Sequence, residues 1–193
     1  MATTKVAIVP GNGGGDIETS GWYASVRDEL VGRGYLQNDE VELRNMPDPF
    51  VARECFWIPF MHDVLRCGAK TIIVGHSSGA LAAMRYAEKY PVRGIVLVSA
   101  YVTDLGIENE RRSEYFNRPW EWERIRENAG FIVQFGSIDD PFVPFEEQQI
   151  VADNLQADFM KFDDRGHFLA SEFHDLVEVL QQRLAVAAQI WTR

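Results

Sequence analysis

The sequence predicts an α/β fold, a three-layer α/β/α sandwich on a mainly parallel sheet of six strands. Six short apolar runs of β-favouring residues alternate with helix-forming stretches, and continuous runs of this kind suit strands buried on both faces. The connections between them are long enough for right-handed crossovers, which pair strands in parallel. A third observation concerns domain count. The 193 residues are 46% hydrophobic, enough to bury one sizeable core. No repeat, low-complexity tract or Pro/Gly/Ser-rich linker divides them, so residues 1–193 read as a single domain.

Lys5 to Val9 is the first strand, closed by Pro10-Gly11-Asn12-Gly13-Gly14-Gly15-Asp16. Consecutive glycines after a strand let backbone approach a neighbour closely or take positive φ. Asp16 stands where the third glycine of a dinucleotide fingerprint belongs, and no Gly-Lys-Ser/Thr follows, so neither nucleotide motif is read here. Trp22, Val26 and Leu30 predict a helix from Thr19 or Ser20 to Gly32-Arg33-Gly34. Val41 to Arg44 is a second strand. Pro47-Asp48-Pro49 then breaks the chain before a helical stretch from Phe50 to Leu65, interrupted at Pro59. Its aromatics, Phe56, Trp57 and Phe60, are expected in the core.

The third strand begins at Thr71 and turns at Gly75-His76-Ser77-Ser78-Gly79 into a helix that runs to about Tyr90. Gly94 to Ser99 is the fourth strand. Tyr101 to Asn128 is charged, aromatic and weakly periodic, and reads either as a small cap over a pocket or as a surface helix held on the body by its tryptophans. Phe131 to Phe135 is the fifth strand, Glu146 to Leu155 a helix, and Asp158 to Phe162 the sixth strand. Phe173, Leu176, Val177, Leu180 and Leu184 mark a closing amphipathic helix.

The chemistry gathers beyond the C-terminal ends of three strands, where open parallel sheets bind ligands. Gly75-His76-Ser77-Ser78-Gly79 fits the G-x-S-x-G elbow, in which a serine on a sharp strand-to-helix turn exposes its hydroxyl. Asp139-Asp140 follows the fifth strand and His167 the sixth, giving the order Ser, Asp, His. A serine hydroxyl needs a base to take its proton, histidine suits that exchange near neutral pH, and a carboxylate fixes the imidazole tautomer. Either aspartate is available. Asp140 is preferred because it precedes Val143-Pro144 by three residues, as the acid of such hydrolases does. An oxyanion hole is expected from the backbone N–H of Ser78 and that of Asn12 or Gly13. Strand order 2-1-3-4-5-6 would lay the glycine loop beside Ser77. Phe116, Trp120 and Trp122 are candidates for an apolar, substrate-binding pocket wall.

Composition narrows the partners. A net charge of −10 argues against nucleic acid, which calls for a clustered basic footprint. No apolar run approaches a membrane span, and the N-terminus lacks the pattern of a signal peptide. Cys55 and Cys67 are too few for a disulfide framework and lack metal-ligand spacing to a histidine. They are expected as buried or half-buried thiols in a reducing, cytoplasmic protein without a bound metal.

Val9 to Asp16, Asn45-Met46-Pro47-Asp48-Pro49, the elbow and Val98-Ser99-Ala100-Tyr101 together resemble the small serine hydrolases typified by retinoblastoma-binding protein 9. Asn117 to Trp122, Gln134 to Pro144 and Gly166-His167-Phe168 extend the resemblance over nearly the whole chain. It implies an α/β-hydrolase fold without a large lid, no metal or organic cofactor, and a triad of Ser77, Asp140 and His167. The Leu-x-Cys-x-Glu segment for which the founding member is named is Leu65-Arg66-Cys67-Gly68-Ala69 here, and the missing glutamate speaks against a retinoblastoma-type partner. The expected activity is hydrolysis of small esters, amides or short peptide-like substrates. The alternative is a protein–protein interaction module on a hydrolase scaffold, its role independent of turnover.

Overall fold

The computed structural model describes residues 4–190, with a six-stranded sheet at their centre. Its strands are β1 (Lys5–Val9), β2 (Val41–Leu43), β3 (Thr71–His76), β4 (Gly94–Val98), β5 (Ile132–Ser137) and β6 (Asp158–Phe162). They lie in the order β2-β1-β3-β4-β5-β6, and every pairing is parallel. The expected order therefore holds, and it makes β1 and β3 neighbours with Val9 opposite Gly75. That register brings the glycine loop after β1 alongside the elbow after β3.

Helices cover both faces. Alternate residues of the inner strands point to opposite sides, as the two-residue period of a strand requires. Val6, Ile8, Ile72, Val74, Val96 and Val98 pack under α1 (Tyr23–Gly32) and α7 (His174–Ile190). Ala7, Val9, Ile73, Ile95 and Leu97 face α2 (Glu54–Asp63), α3 (Ser78–Ala87), α5 (Trp122–Asn128) and α6 (Phe145–Leu155). A short α4 (Glu108–Ser113) lies between β4 and α5. Every residue of α3 is buried, as befits a helix enclosed against the middle of the sheet.

Local differences from the expected elements have local causes. The first helix begins at Tyr23, because Gly21 takes positive φ just before it. The second runs through Pro59 on its exposed face instead of stopping there. Trp57 is in the core as expected, whereas Phe56 and Cys55 are exposed on the opposite side of the same helix. Cys67 is buried, and burial raises its thiol to about 12. Leu65 is buried with it, and the Cys67 carbonyl accepts the Tyr86 hydroxyl at 2.7 Å, so the Leu-x-Cys stretch is folded into the body.

Tyr101 to Asn128 divides between its two readings. Its first part walls the cavity beside Ser77. Its second part is drawn onto α3 by Arg85, which is buried and donates to the carbonyls of Tyr115, Arg118 and Pro119 and to Glu88. Arg118 in turn pairs with Glu54 at 2.7 Å, fastening the segment to α2. Among the described residues no helix is long and apolar enough to cross a membrane.

Candidate active site

Ser77 lies between β3 and α3 with φ 55° and ψ −119°, a conformation that costs a non-glycine residue energy and recurs at functional turns. The glycines around it make the turn possible. A Cβ on Gly75 would run into the carbonyl of Gly79, and one on Gly79 into the carbonyls of Val9 and Pro10. The Ser77 N–H donates to the Val98 carbonyl at 2.9 Å, tying the elbow to β4.

Asp140 and His167 meet as expected. His167 Nδ1 stands 2.8 Å from Asp140 Oδ2 and 3.0 Å from Oδ1. Asp140 also accepts the Ser99 hydroxyl at 2.8 Å and the N–H groups of Phe142 and Val143 at 2.9 and 3.0 Å. Burial alone would raise its carboxyl pKa. The histidine and those two N–H groups outweigh burial and hold it below the usual carboxylate range. With the carboxylate ionised, Nδ1 of His167 carries the proton and Nε2 the lone pair. Asp139 serves a different purpose. It is exposed and accepts the Ser137 hydroxyl at 2.6 Å and the Gly166 N–H at 2.8 Å, which holds the loop just before His167.

The glycine loop lies against the serine, and a Cβ on Gly11 would sit 3.2 Å from that of Ser77. Its amides differ in availability. The Gly13 N–H donates to the Pro49 carbonyl at 2.8 Å. The Gly11 N–H donates to the Tyr23 hydroxyl at 3.2 Å. Asn12 retains its N–H, and Ser78 opens α3 with an N–H that has no intrahelical acceptor.

Ser77 and His167 border one cavity of about 370 Å³, whose wall also includes Asn12, Tyr101, Glu110 and Val143. Exposed Ile107, Phe142 and Leu169 line its mouth. Phe116, Trp120 and Trp122 do not border it. Phe116 packs on Tyr101, while Trp120 lies over the Arg85 guanidinium at 3.8 Å and stacks on Trp122. The contact with buried Arg85 and an indole N–H bond to the Val102 carbonyl at 3.1 Å hold Trp120 outside the cavity wall, and Trp122 with it. Glu110 belongs to the wall instead: buried, it accepts the Tyr101 hydroxyl at 2.6 Å and lies 3.4 Å from the Asn12 side-chain amide.

Three buried aromatic groups beside His167, two of which (Tyr23 and His76) also line the cavity, carried no functional signal in the sequence. The Trp22 indole N–H donates to the Phe168 carbonyl at 2.9 Å. The His76 ring stands 4.9 Å from the His167 ring, its Nε2 2.8 Å from the His167 carbonyl and its Nδ1 2.7 Å from the Tyr23 hydroxyl. No cluster of three or more His, Cys, Asp or Glu suited to a metal occurs among the described residues.

Comparison with known proteins gives consistent relatives. A family model described as serine hydrolase matches residues 6–186. Serine hydrolase RBBP9 of Rattus norvegicus is 56% identical over 184 residues, covering 95% of this chain and 97% of the rat protein. The structure of the ydeN gene product of Bacillus subtilis superposes with a TM-score of 0.81 at 25% identity, over 95% of this chain and 100% of the other. The esterase RhEst1 from Rhodococcus sp. ECU1013 shares the fold, with a TM-score of 0.63 at 12% identity over 95% and 90% of the two chains.

Proposed function

The chain belongs to the serine hydrolase family within the α/β hydrolases, and from that premise we propose that it cleaves small esters, amides or short peptide-like substrates through an acyl-enzyme on Ser77. The observation that carries this reading is that His167, 2.8 Å from buried Asp140, borders the same cavity as the strained elbow serine. In this mechanism Ser77 Oγ attacks the substrate carbonyl carbon as His167 Nε2 takes its proton. Asp140 steadies the resulting imidazolium. The N–H groups of Asn12 and Ser78 receive the charge on the carbonyl oxygen. Collapse breaks the bond to the leaving group, which receives the proton from His167. Water then attacks the acyl-enzyme by the same steps, releases the acid and restores Ser77.

Two features of the cavity bear on the substrate. The apolar mouth of Ile107, Phe142 and Leu169 favours a substrate with an apolar part. The Glu110 carboxylate in the wall is met by the neutral donors of Tyr101 and Asn12 and favours a positive group near the scissile bond. Turnover of p-nitrophenyl esters by the wild-type protein and by Ser77→Ala tests the reading. The variant is expected to keep its fold and lose turnover, and undiminished turnover in the folded variant would refute it.

A further inference from the structure

In the wall of the cavity that Ser77 and His167 border, one hydrogen-bonded chain joins the three separate parts of the candidate site. The glycine loop reaches it through the Gly11 N–H, 3.2 Å from the Tyr23 hydroxyl oxygen. That hydroxyl reaches His76 Nδ1 at 2.7 Å, and His76 Nε2 reaches the His167 carbonyl at 2.8 Å. Its polarity is fixed. A carbonyl only accepts, so Nε2 of His76 carries the proton; in the neutral ring Nδ1 is then the acceptor, and Tyr23 donates to it. The Tyr23 oxygen is then left to accept from Gly11.

We propose that Tyr23 and His76 are positioning residues for hydrolysis, a neutral relay that sets the oxyanion loop and the His167 backbone in register with Ser77. The inference rests on the serine-hydrolase reading above. His76 directly precedes Ser77, Gly11 precedes Asn12 and touches Ser77, and the third anchor is the backbone of His167 itself. Movement at any one anchor therefore reaches the other two. The relay must also stay uncharged, because a positive His76 ring 4.9 Å from His167 would oppose the imidazolium of the mechanism. Burial and the neighbouring His167 hold the His76 pKa down to about 3, and burial raises Tyr23 to about 12 despite the Gly11 N–H. Neither group changes charge around neutral pH.

The test compares wild type, Tyr23→Phe, His76→Leu and His76→Gln on p-nitrophenyl acetate. Active sites are counted by fluorophosphonate labelling, and folding is followed by circular dichroism. Tyr23→Phe keeps the ring and removes the link, so kcat per labelled site should fall about tenfold or more with KM within about twofold. His76→Leu should lose at least as much. The amide of His76→Gln is able to donate to the His167 carbonyl and accept from Tyr23, so this variant should recover most of the loss. A purely structural role would lower thermal stability and leave kcat per labelled site unchanged. Unchanged kcat in Tyr23→Phe, or a His76→Gln protein no better than His76→Leu, would overturn the relay. If His76→Leu fails to fold, Tyr23→Phe alone still decides between the two roles. A wild-type protein without labelling or turnover would sink the hydrolase reading and the catalytic role of the relay with it. A labelled, active wild type beside an unaffected Tyr23→Phe would sink the relay alone.

Discussion

Gly79 packs against the carbonyl of Val9 so closely that a Cβ on it would overlap that group and the next carbonyl, of Pro10. This contact sets the distance between α3 and β1, and with it the approach of the glycine loop to Ser77. Both obstructing groups are backbone, so Gly79→Ala is not relieved by a change of rotamer. We expect a loss of about 3 kcal/mol or more, at the upper end for overpacked sites, and a fall in melting temperature of about 6 °C or more. Thermal unfolding followed by circular dichroism checks it.

The same contact explains what the sequence made legible. An apolar run ending in Gly-x-Ser-x-Gly announces a strand, a tight turn and a helix at once, because few other residues tolerate that turn. Strand order, Ser77, Asp140 and His167 could follow because each lies at a strand end. What escaped was long-range side-chain pairing. The choice between the Asn12 and Gly13 amides turned on Pro49, distant in sequence, capturing one of them. Trp120 is held against Arg85, whose burial has no local signature, and Trp122 stacks on Trp120. Nothing in the periodicity of α1 set Tyr23 apart as a partner of His76.

Asp140→Asn should lower kcat by about 10⁴-fold while leaving KM nearly unchanged, since an amide favours the wrong imidazole tautomer. The aspartate also gives a pH signature. Its folded pKa lies below the unfolded value of about 3.9, so the stability it contributes is complete above that value. That stability is lost as the pH falls through the folded pKa. Melting temperatures of wild type and Asp140→Asn should draw together as the pH falls below about 4. A gap that persists undiminished below about pH 3 would contradict the assignment.

Arg85→Ala removes a buried cation that satisfies Glu88 and the carbonyls of three residues beyond α4. Glu88 keeps the Arg118 guanidinium at 3.4 Å and the Glu121 N–H at 3.0 Å, so the loss should lie at the lower end of the about 3–5 kcal/mol for breaking a buried pair. Urea unfolding should show a loss of that size, together with faster proteolysis between residues 114 and 122.

Glu110→Gln keeps the shape of the cavity wall and discards its charge. The kcat/KM ratio for an ester bearing an ammonium group over its neutral isostere should fall about tenfold, or about 1.4 kcal/mol. Turnover of the neutral ester should stay within about threefold. An unchanged ratio would remove Glu110 from substrate selection.

The central claim is that Ser77 is an activated nucleophile, and fluorophosphonate labelling followed by peptide mass spectrometry tests it most directly. A single adduct on Ser77 is expected in the wild-type protein and none in folded His167→Ala. An unlabelled but well-folded wild-type protein, or an adduct on another residue, would contradict it.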